Sequence, residues 1–287
     1  METRVGIRKL FLAMLVFSMA FLFVPGMKAE AASNDELQAV AKIFDANYYA
    51  IAYPDVAARG NGSPLYLLNH YLYHGVNEGR NASATFNATD YKNRYPDLAA
   101  LYGDNMLAYA VHYSMAGAAE GRDGTPAAGV VDVVPPTNVK LLGVYCTEYD
   151  AAAPRGSNIA TAAKKIGVKV LAPGQTFSAS NSIGPRTSAN GFVEAPVFIA
   201  KQHAMGLGGG VCQVSSTIYA STKMAGLKVS ERHPHSLPVY YLPEGWDATI
   251  SWGSLDLKFA NPYDSNMLVC VTADAGKLTA ALYLENY

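Results

Sequence analysis

The longest apolar stretch runs from Leu10 to Val24, interrupted only by Ser18. It follows Arg4, Arg8 and Lys9 and precedes Ala29-Glu30-Ala31, a small-x-small site. About 15 apolar residues fall short of the roughly 20 that cross a bilayer. Residues 1–31 are therefore expected to be a cleaved secretory signal, leaving a soluble, extracytoplasmic chain with no stable membrane span. The next pattern repeats. Phe44-Asp45-Ala46, Tyr53-Pro54-Asp55, His70-Tyr71, Gly75 and Glu78-Gly79-Arg80 recur 42 residues later as Phe86-Asn87-Ala88, Tyr95-Pro96-Asp97, His112-Tyr113, Gly117 and Glu120-Gly121-Arg122. In each copy Asp45 or Asn87 is placed to cap a short helix, Pro54 or Pro96 opens a second, and a longer amphipathic helix stops near Gly75 or Gly117. This predicts two small, stacked helical units at about 40–81 and 82–123. Their Tyr, His and Arg residues are expected to form a local core and ion pair, with wall binding as the functional alternative.

Residues 124–137, rich in Pro, Gly and Ala, read as a linker. From 138 to 287 the pattern predicts strands at Lys140–Tyr145, Phe192–Ile199, Leu237–Tyr241, Thr249–Trp252, Leu255–Phe259, Met267–Thr272 and Leu278–Leu284, the last two a hairpin. A helix is predicted at Asn158–Ile166 with Ser157 or Asn158 as its cap, and Pro173-Gly174 is a turn. The fold class is α+β: a mainly antiparallel β domain carrying a cysteine-bearing helix, preceded by a small all-α two-repeat module.

Charge narrows the function classes. The chain has 22 Lys+Arg against 23 Asp+Glu, and without Arg4, Arg8, Lys9, Lys28, Glu2 and Glu30 of the leader these become 18 against 21. No basic stripe exists to bind nucleic acid. No cysteine or carboxylate spacing suggests a metal site, and no cofactor is expected.

There are three cysteines. Cys146 and Cys270 both fall in predicted strands, where they are either a disulfide or two buried thiols. Cys212 follows Gly208, Gly209 and Gly210 directly, and Val211, Val214 and Ile218 then fall on one helical stripe. Cys212 is thereby placed in the first turn of a helix, where unpaired N–H groups favour a thiolate and can receive an oxyanion. No Lys-Ser/Thr follows the glycines, which argues against a phosphate loop. His203, His233 and His235 are the candidate bases, and Asp247 and Asp256 the candidate orienters of an imidazole.

The run from Gly208 to Thr217 (Gly-Gly-Gly-Val-Cys-Gln-Val-Ser-Ser-Thr), then Glu231-Arg232-His233-Pro234-His235-Ser236, Tyr241, Pro243 to Thr249 and Asp256 to Phe259, strongly resembles the VanW family. Asn158, Pro173 to Ser178, Ile183-Gly184 and Gly191-Phe192 fit the same pattern, so the resemblance covers roughly 140–284. The family is named after a component of vancomycin-resistance clusters in Gram-positive bacteria, and some members look like L,D-transpeptidases of peptidoglycan. The resemblance implies Cys212 as nucleophile, His235 as base with His233 second, and oxyanion donors from the Gly208–Gln213 loop, Val211 and Gln213 included. Arg232 is implied as a carboxylate clamp, with Ser215, Ser216, Asp247 and Asp256 binding or orienting. It implies peptidoglycan stem peptides as partners, other wall polymers being left to the helical repeats. A cysteine amidase or endopeptidase, and a non-catalytic wall-binding protein linked to glycopeptide resistance, are the alternative readings.

Overall fold

A computed structural model describes residues 32–61, 63–128, 138–199 and 202–286; the expected signal segment and most of the linker, 129–137, lie outside them. The first copy of the repeat holds α2 (Ala46–Ala52), α3 (Pro54–Arg59) and α4 (Pro64–His70), preceded by α1 (Asn34–Ala41). The second holds α5 (Ala88–Arg94), α6 (Pro96–Tyr102) and α7 (Met106–His112). Asp45 accepts from the N–H groups of Asn47 and Tyr48, and Asn87 from that of Asp90. Pro54 and Pro96 each open the following helix.

Both α4 and α7 end in a π turn, Tyr71–Gly75 and Tyr113–Gly117. The cause is shared. Tyr49 Oη lies 3.0 Å from His70 Nδ1, and Tyr91 Oη 3.0 Å from His112 Nδ1. A Cβ on Gly75 or Gly117 would meet those tyrosine oxygens at 2.1 Å. The wider turn lets the hydroxyl come down onto the helix backbone where only glycine leaves room. Arg80 then pairs with Asp55 and Glu78 over the Tyr53 ring, and Arg122 with Asp97 and Glu120 over Tyr95. The repeated Tyr, His and Arg residues thus lie in contacts within their own units.

The remainder is built on a four-stranded antiparallel sheet in the order β1 (Val139–Glu148), β9 (Lys277–Glu285), β8 (Met267–Asp274), β2 (Val168–Leu171). Its central strands are buried on both faces. Met267, Val269, Val271, Leu278, Ala280 and Leu282 pack with α8 (Pro154–Ile166) and α10 (Val211–Met224). Leu268, Cys270, Ala281 and Tyr283 share a core with the repeat helices instead. Alternate residues face opposite layers, which is why β8 and β9 read as continuous apolar runs. The helical units cover one face of the sheet and share its core.

Two smaller sheets place the chemistry. The hairpin β4 (Glu194–Ile199) and β5 (Gln202–Leu207) leads into the glycine loop, and β7 (Lys258–Ala260) lies between β3 (Thr176–Ser178) and β6 (Val229–Glu231). Several sequence expectations need correction. Leu237–Tyr241 forms bends, and Thr249–Trp252 makes only isolated bridges, His233 to Thr249 and Ser251 to Leu255. Pro234, Pro238 and Pro243 lack the N–H groups a ladder requires. Of the expected Leu255–Phe259 run only Lys258 and Phe259 are strand, within Lys258–Ala260. The helix expected from Asn158 starts at Pro154, so Asn158 is an interior residue. The candidate base His203 lies in strand Gln202–Leu207, and its side chain is outside the described residues.

Candidate active site

Each glycine before Cys212 has its own reason. Gly208 and Gly210 have φ values of 80° and 103°, a region that side chains disfavour. Gly209 does not, but a Cβ there would sit 2.5 Å from the carbonyl oxygen of Pro196. A Cβ on Gly208 would meet Arg186 Cδ at 2.8 Å, and one on Gly210 would meet Arg155 Cγ at 2.6 Å. The loop threads between two arginines. Asn158, fully buried, fixes it: Nδ2 donates to Gly209 O and Val193 O at 3.0 Å each, and Oδ1 accepts from Val193 N at 2.9 Å.

Gly210 caps α10, so Cys212 occupies the helix's second residue. Val211 N donates to Gly208 O and Gln213 N to Gly210 O. The N–H groups of Gly210 and Cys212 have no partner among the described residues, which leaves them available to an oxyanion. Gln213 turns inward, its Nε2 donating to Thr147 Oγ1 at 3.1 Å and Glu148 O at 2.7 Å.

Cys212 as a residue is half-buried. Its sulfur lies 3.5 Å from Thr249 Oγ1 and 3.4 Å from Ile250 O. Of the side chains around it, His235 does most to favour the thiolate. His235 Nδ1 lies 2.7 Å from Asp247 Oδ2, leaving Nε2 for the sulfur. The same carboxylate oxygen accepts from His235 N at 2.6 Å, and Arg232 donates to Asp247 Oδ1 at 2.8 Å and Asp247 O at 2.7 Å. The three groups form a chain: thiol, imidazole, carboxylate.

Electrostatics follow from this chain. Burial pushes the Cys212 thiol up, but His235, followed by Thr249, the backbone at Ile250 and the charge of Arg186, brings it from 9.0 down to about 7. Burial depresses His235, and Cys212 and Asp247 more than offset this, so the imidazole is held above its ordinary range. Asp247 is raised by burial, but His235 and Arg232 hold it below the usual carboxylate range. The neighbours therefore favour the charged form of all three groups.

The other expected site residues lie around this chain. His233 Nε2 lies 3.1 Å from Glu231 Oε1, and its carbonyl receives Thr249 N at 2.8 Å, so it steadies the segment beside the sulfur. Glu231 is brought down to about 2, mainly by Lys258 and His233. Asp256 is not with the imidazole: it binds Ser178 Oγ at 2.5 Å and Ser180 N at 2.7 Å. Ser215 and Ser216 are fully buried, each donating to Cys212 O and Ala248 O. They orient the 247–250 segment against α10. Arg232 is engaged with Asp247 and stacks 5.2 Å from the Tyr219 ring.

Cys146 and Cys270 are both free and buried, so they form no disulfide. Cys146 pairs with Thr279 on one edge of β9, and Cys270 with Ala281 on the other. A whole strand separates them. Among the described residues no group of His, Cys, Asp and Glu is gathered as metal ligands would be, and no helix is long and apolar enough to cross a membrane. Arg155, Arg186 and Thr249 carry no local signal that singles them out in the sequence. Arg155 and Arg186 lie 57 and 26 positions before Cys212, and only the folded loop brings them to it.

A thiol at a glycine-led helix start, faced by a histidine that a carboxylate orients, has the geometry of an activated cysteine. Residues 154–283 match the family model described as "VanW like protein". That segment contains the whole thiol, imidazole and carboxylate chain and both arginines, whereas the helical repeats and β1 lie before it. The chain is 38% identical over 143 residues to the "Uncharacterized protein YoaR" of Bacillus subtilis (strain 168), covering 50% of this chain and 47% of the relative. It is 26% identical over 133 residues to the "Vancomycin B-type resistance protein VanW" of Enterococcus faecalis (strain ATCC 700802 / V583), covering 45% and 48%. The chain thus spans about half the length of the curated relatives it matches. No solved structure matches it.

Proposed function

We propose that this chain is an extracytoplasmic cysteine acyltransferase of the L,D-transpeptidase kind, acting on the stem peptides of peptidoglycan. The observation that carries the reading is the Cys212–His235–Asp247 chain, with the thiol brought to about 7. The Cys212 thiolate attacks a stem-peptide carbonyl, and the N–H groups of Gly210 and Cys212 receive the oxyanion. The C–N bond breaks and His235 protonates the departing amine. An amine of a second stem then attacks the thioester, gives its proton to His235 and restores the thiolate. Asp247 keeps the imidazole turned toward the sulfur throughout. The vancomycin resistance for which the Enterococcus relative is named supports a wall substrate, and the leader-like segment at 1–31 supports an extracytoplasmic place of action.

Purified protein incubated with tetrapeptide-bearing muropeptides tests this. Cross-linked dimers formed by the wild type and absent with Cys212→Ala are the expected result. Shortened monomers without dimers would replace transfer by hydrolysis, the amidase or endopeptidase reading. No change in either, together with a Cys212 no more reactive than an ordinary exposed cysteine, would refute catalysis.

A further inference from the structure

Arg80, Arg94, Arg122 and Arg232 each pair with a carboxylate. Arg155 and Arg186 are half-buried beside the glycine loop and have no carboxylate within salt-bridge distance among the described residues. In both, Nε is buried without a hydrogen-bond partner. A guanidinium taken from water is costly unless its charge is answered, and among the described residues no carboxylate answers these two, the Cys212 sulfur being the group whose charge Arg186 favours.

Both arginines are nevertheless held in place. Arg155 Nη2 donates to Gln213 Oε1 at 2.9 Å, the amide already fixed by Thr147 and Glu148, and its guanidinium lies 5.6 Å from the Tyr241 ring. Arg186 Nη2 donates to Ile250 O at 3.1 Å, the oxygen that also lies 3.4 Å from Cys212 Sγ. Sharing that oxygen, the nitrogen and the sulfur are at most about 6.5 Å apart. In each guanidinium Nη1 has no partner among the described residues and is not among the buried unsatisfied atoms. Each is thus anchored by one nitrogen and open at another, on either side of the loop that presents the thiol.

We propose that Arg186, supported by Arg155, is the anion subsite of this centre and takes the free C-terminal carboxylate of the acyl donor. This rests on Cys212 being the nucleophile. In a peptide the terminal carboxylate carbon lies three bonds, or about 3 to 4 Å, beyond the carbonyl carbon of the preceding residue. With that carbonyl about 3 to 3.5 Å from the sulfur, the carboxylate falls within reach of Arg186. A further residue would carry the carboxylate roughly 3.5 Å past it. The bond broken is therefore the last amide of the chain: the thiolate forms a C–S bond, the C–N bond breaks, and the terminal amino acid leaves as an amine protonated by His235. The subsite selects a terminal exchange over an internal cut, and Arg232, engaged by Asp247, is a positioning residue.

Intact-mass measurement of Cys212 acylation tests this with three donors: a stem tetrapeptide with a free C-terminus, the same peptide as its C-terminal amide, and one amidated only on its side-chain carboxylate. The free acid and the side-chain amide are expected to acylate the wild type at similar rates, about 100-fold faster than the C-terminal amide. Arg186→Gln is expected to lower the free-acid rate far more than the C-terminal amide rate, so that the preference for the free acid is lost, with Arg186→Lys intermediate. Equal rates for free acid and C-terminal amide on the wild type, a comparison that needs no variant, would overturn the subsite and leave Cys212 as nucleophile. A preference lost on side-chain amidation instead would overturn the terminal assignment. Acylation by none of the three would overturn the nucleophile itself.

Discussion

Replacing His235 by Ala tests whether the local contacts set the state of the thiol. His235 is the largest influence drawing Cys212 down to about 7 against burial, so without it the thiol should rise, and a return to its ordinary 9.0 sets the scale. At pH 7 the thiolate fraction then falls from one half to about 1%, roughly 50-fold. A more basic thiolate is also a better nucleophile, with a Brønsted slope of about 0.4 to 0.5. Two pK units restore about eight-fold, so the net loss toward an aromatic disulfide is only about six-fold at pH 7. The shape of the pH profile is the stronger readout. The rate of reaction between pH 5 and 10, with Cys212→Ala subtracted for Cys146 and Cys270, should level off above about 7 in the wild type and keep rising past 9 in the variant. A wild-type midpoint near 9, or a variant that keeps a midpoint near 7, would refute the assignment of His235 as the group that activates the sulfur.

Asp247→Asn should lower acyl transfer by about 100-fold or more, because the imidazole loses the partner that fixes its orientation, and circular dichroism should show the fold retained. Asp247 is held below the usual carboxylate range, so its contribution to stability is present above the unfolded value of 3.8 and is lost as pH falls through the lower folded value. The wild-type melting temperature should therefore drop more steeply below pH 4 than that of Asp247→Asn. Gly75→Ala places a methyl 2.1 Å from Tyr49 Oη and should cost about 2 kcal/mol or more in urea unfolding, with Tyr49→Phe in the same chain recovering part of the loss. Gly209→Ala meets backbone oxygens at 2.5 Å and 2.8 Å, which cannot swing away, and should reduce both stability and Cys212 acylation.

Local rules carry far in this chain. Caps and prolines announce the repeat helices, and alternation with turn signals announces β1, β8, β9 and the α10 start, because each depends on neighbours in sequence. In the site, Cys212 at a glycine-led helix start is a local signal, whereas the residues alone leave His203, His233 and His235 open as bases and only the resemblance prefers His235. Choosing between Asp247 and Asp256 is not legible either, because the eight residues of irregular chain between them carry them to different partners. Nor is the tertiary role of Asn158, whose side chain reads as a cap in sequence and in the fold ties the glycine loop to Val193. The extended segment after His235 keeps a strand's residue types but, with its prolines, finds no ladder. What it does instead is carry Asp247 to the imidazole and Thr249 to the sulfur.

The three thiols show how much the surroundings decide. Cys270, fully buried in β8 with no compensating partner, is pushed up to about 12, and Cys146 is raised by burial in β1. Cys212 is pushed the same way by burial and yet is drawn down to about 7. The difference comes from segments distant in sequence: His235 and Thr249 after the helix, Arg186 before it, all fastened by groups that never touch the sulfur. Ser215 and Ser216 tie Ala248 to the first turn of α10, Asn158 holds Gly209, and Asp247 joins Arg232 to His235. A polar framework this buried is fully effective only when each member is satisfied. Arg155 and Arg186 are two places where, among the described residues, it is left open, and both openings flank the glycine loop that presents the sulfur.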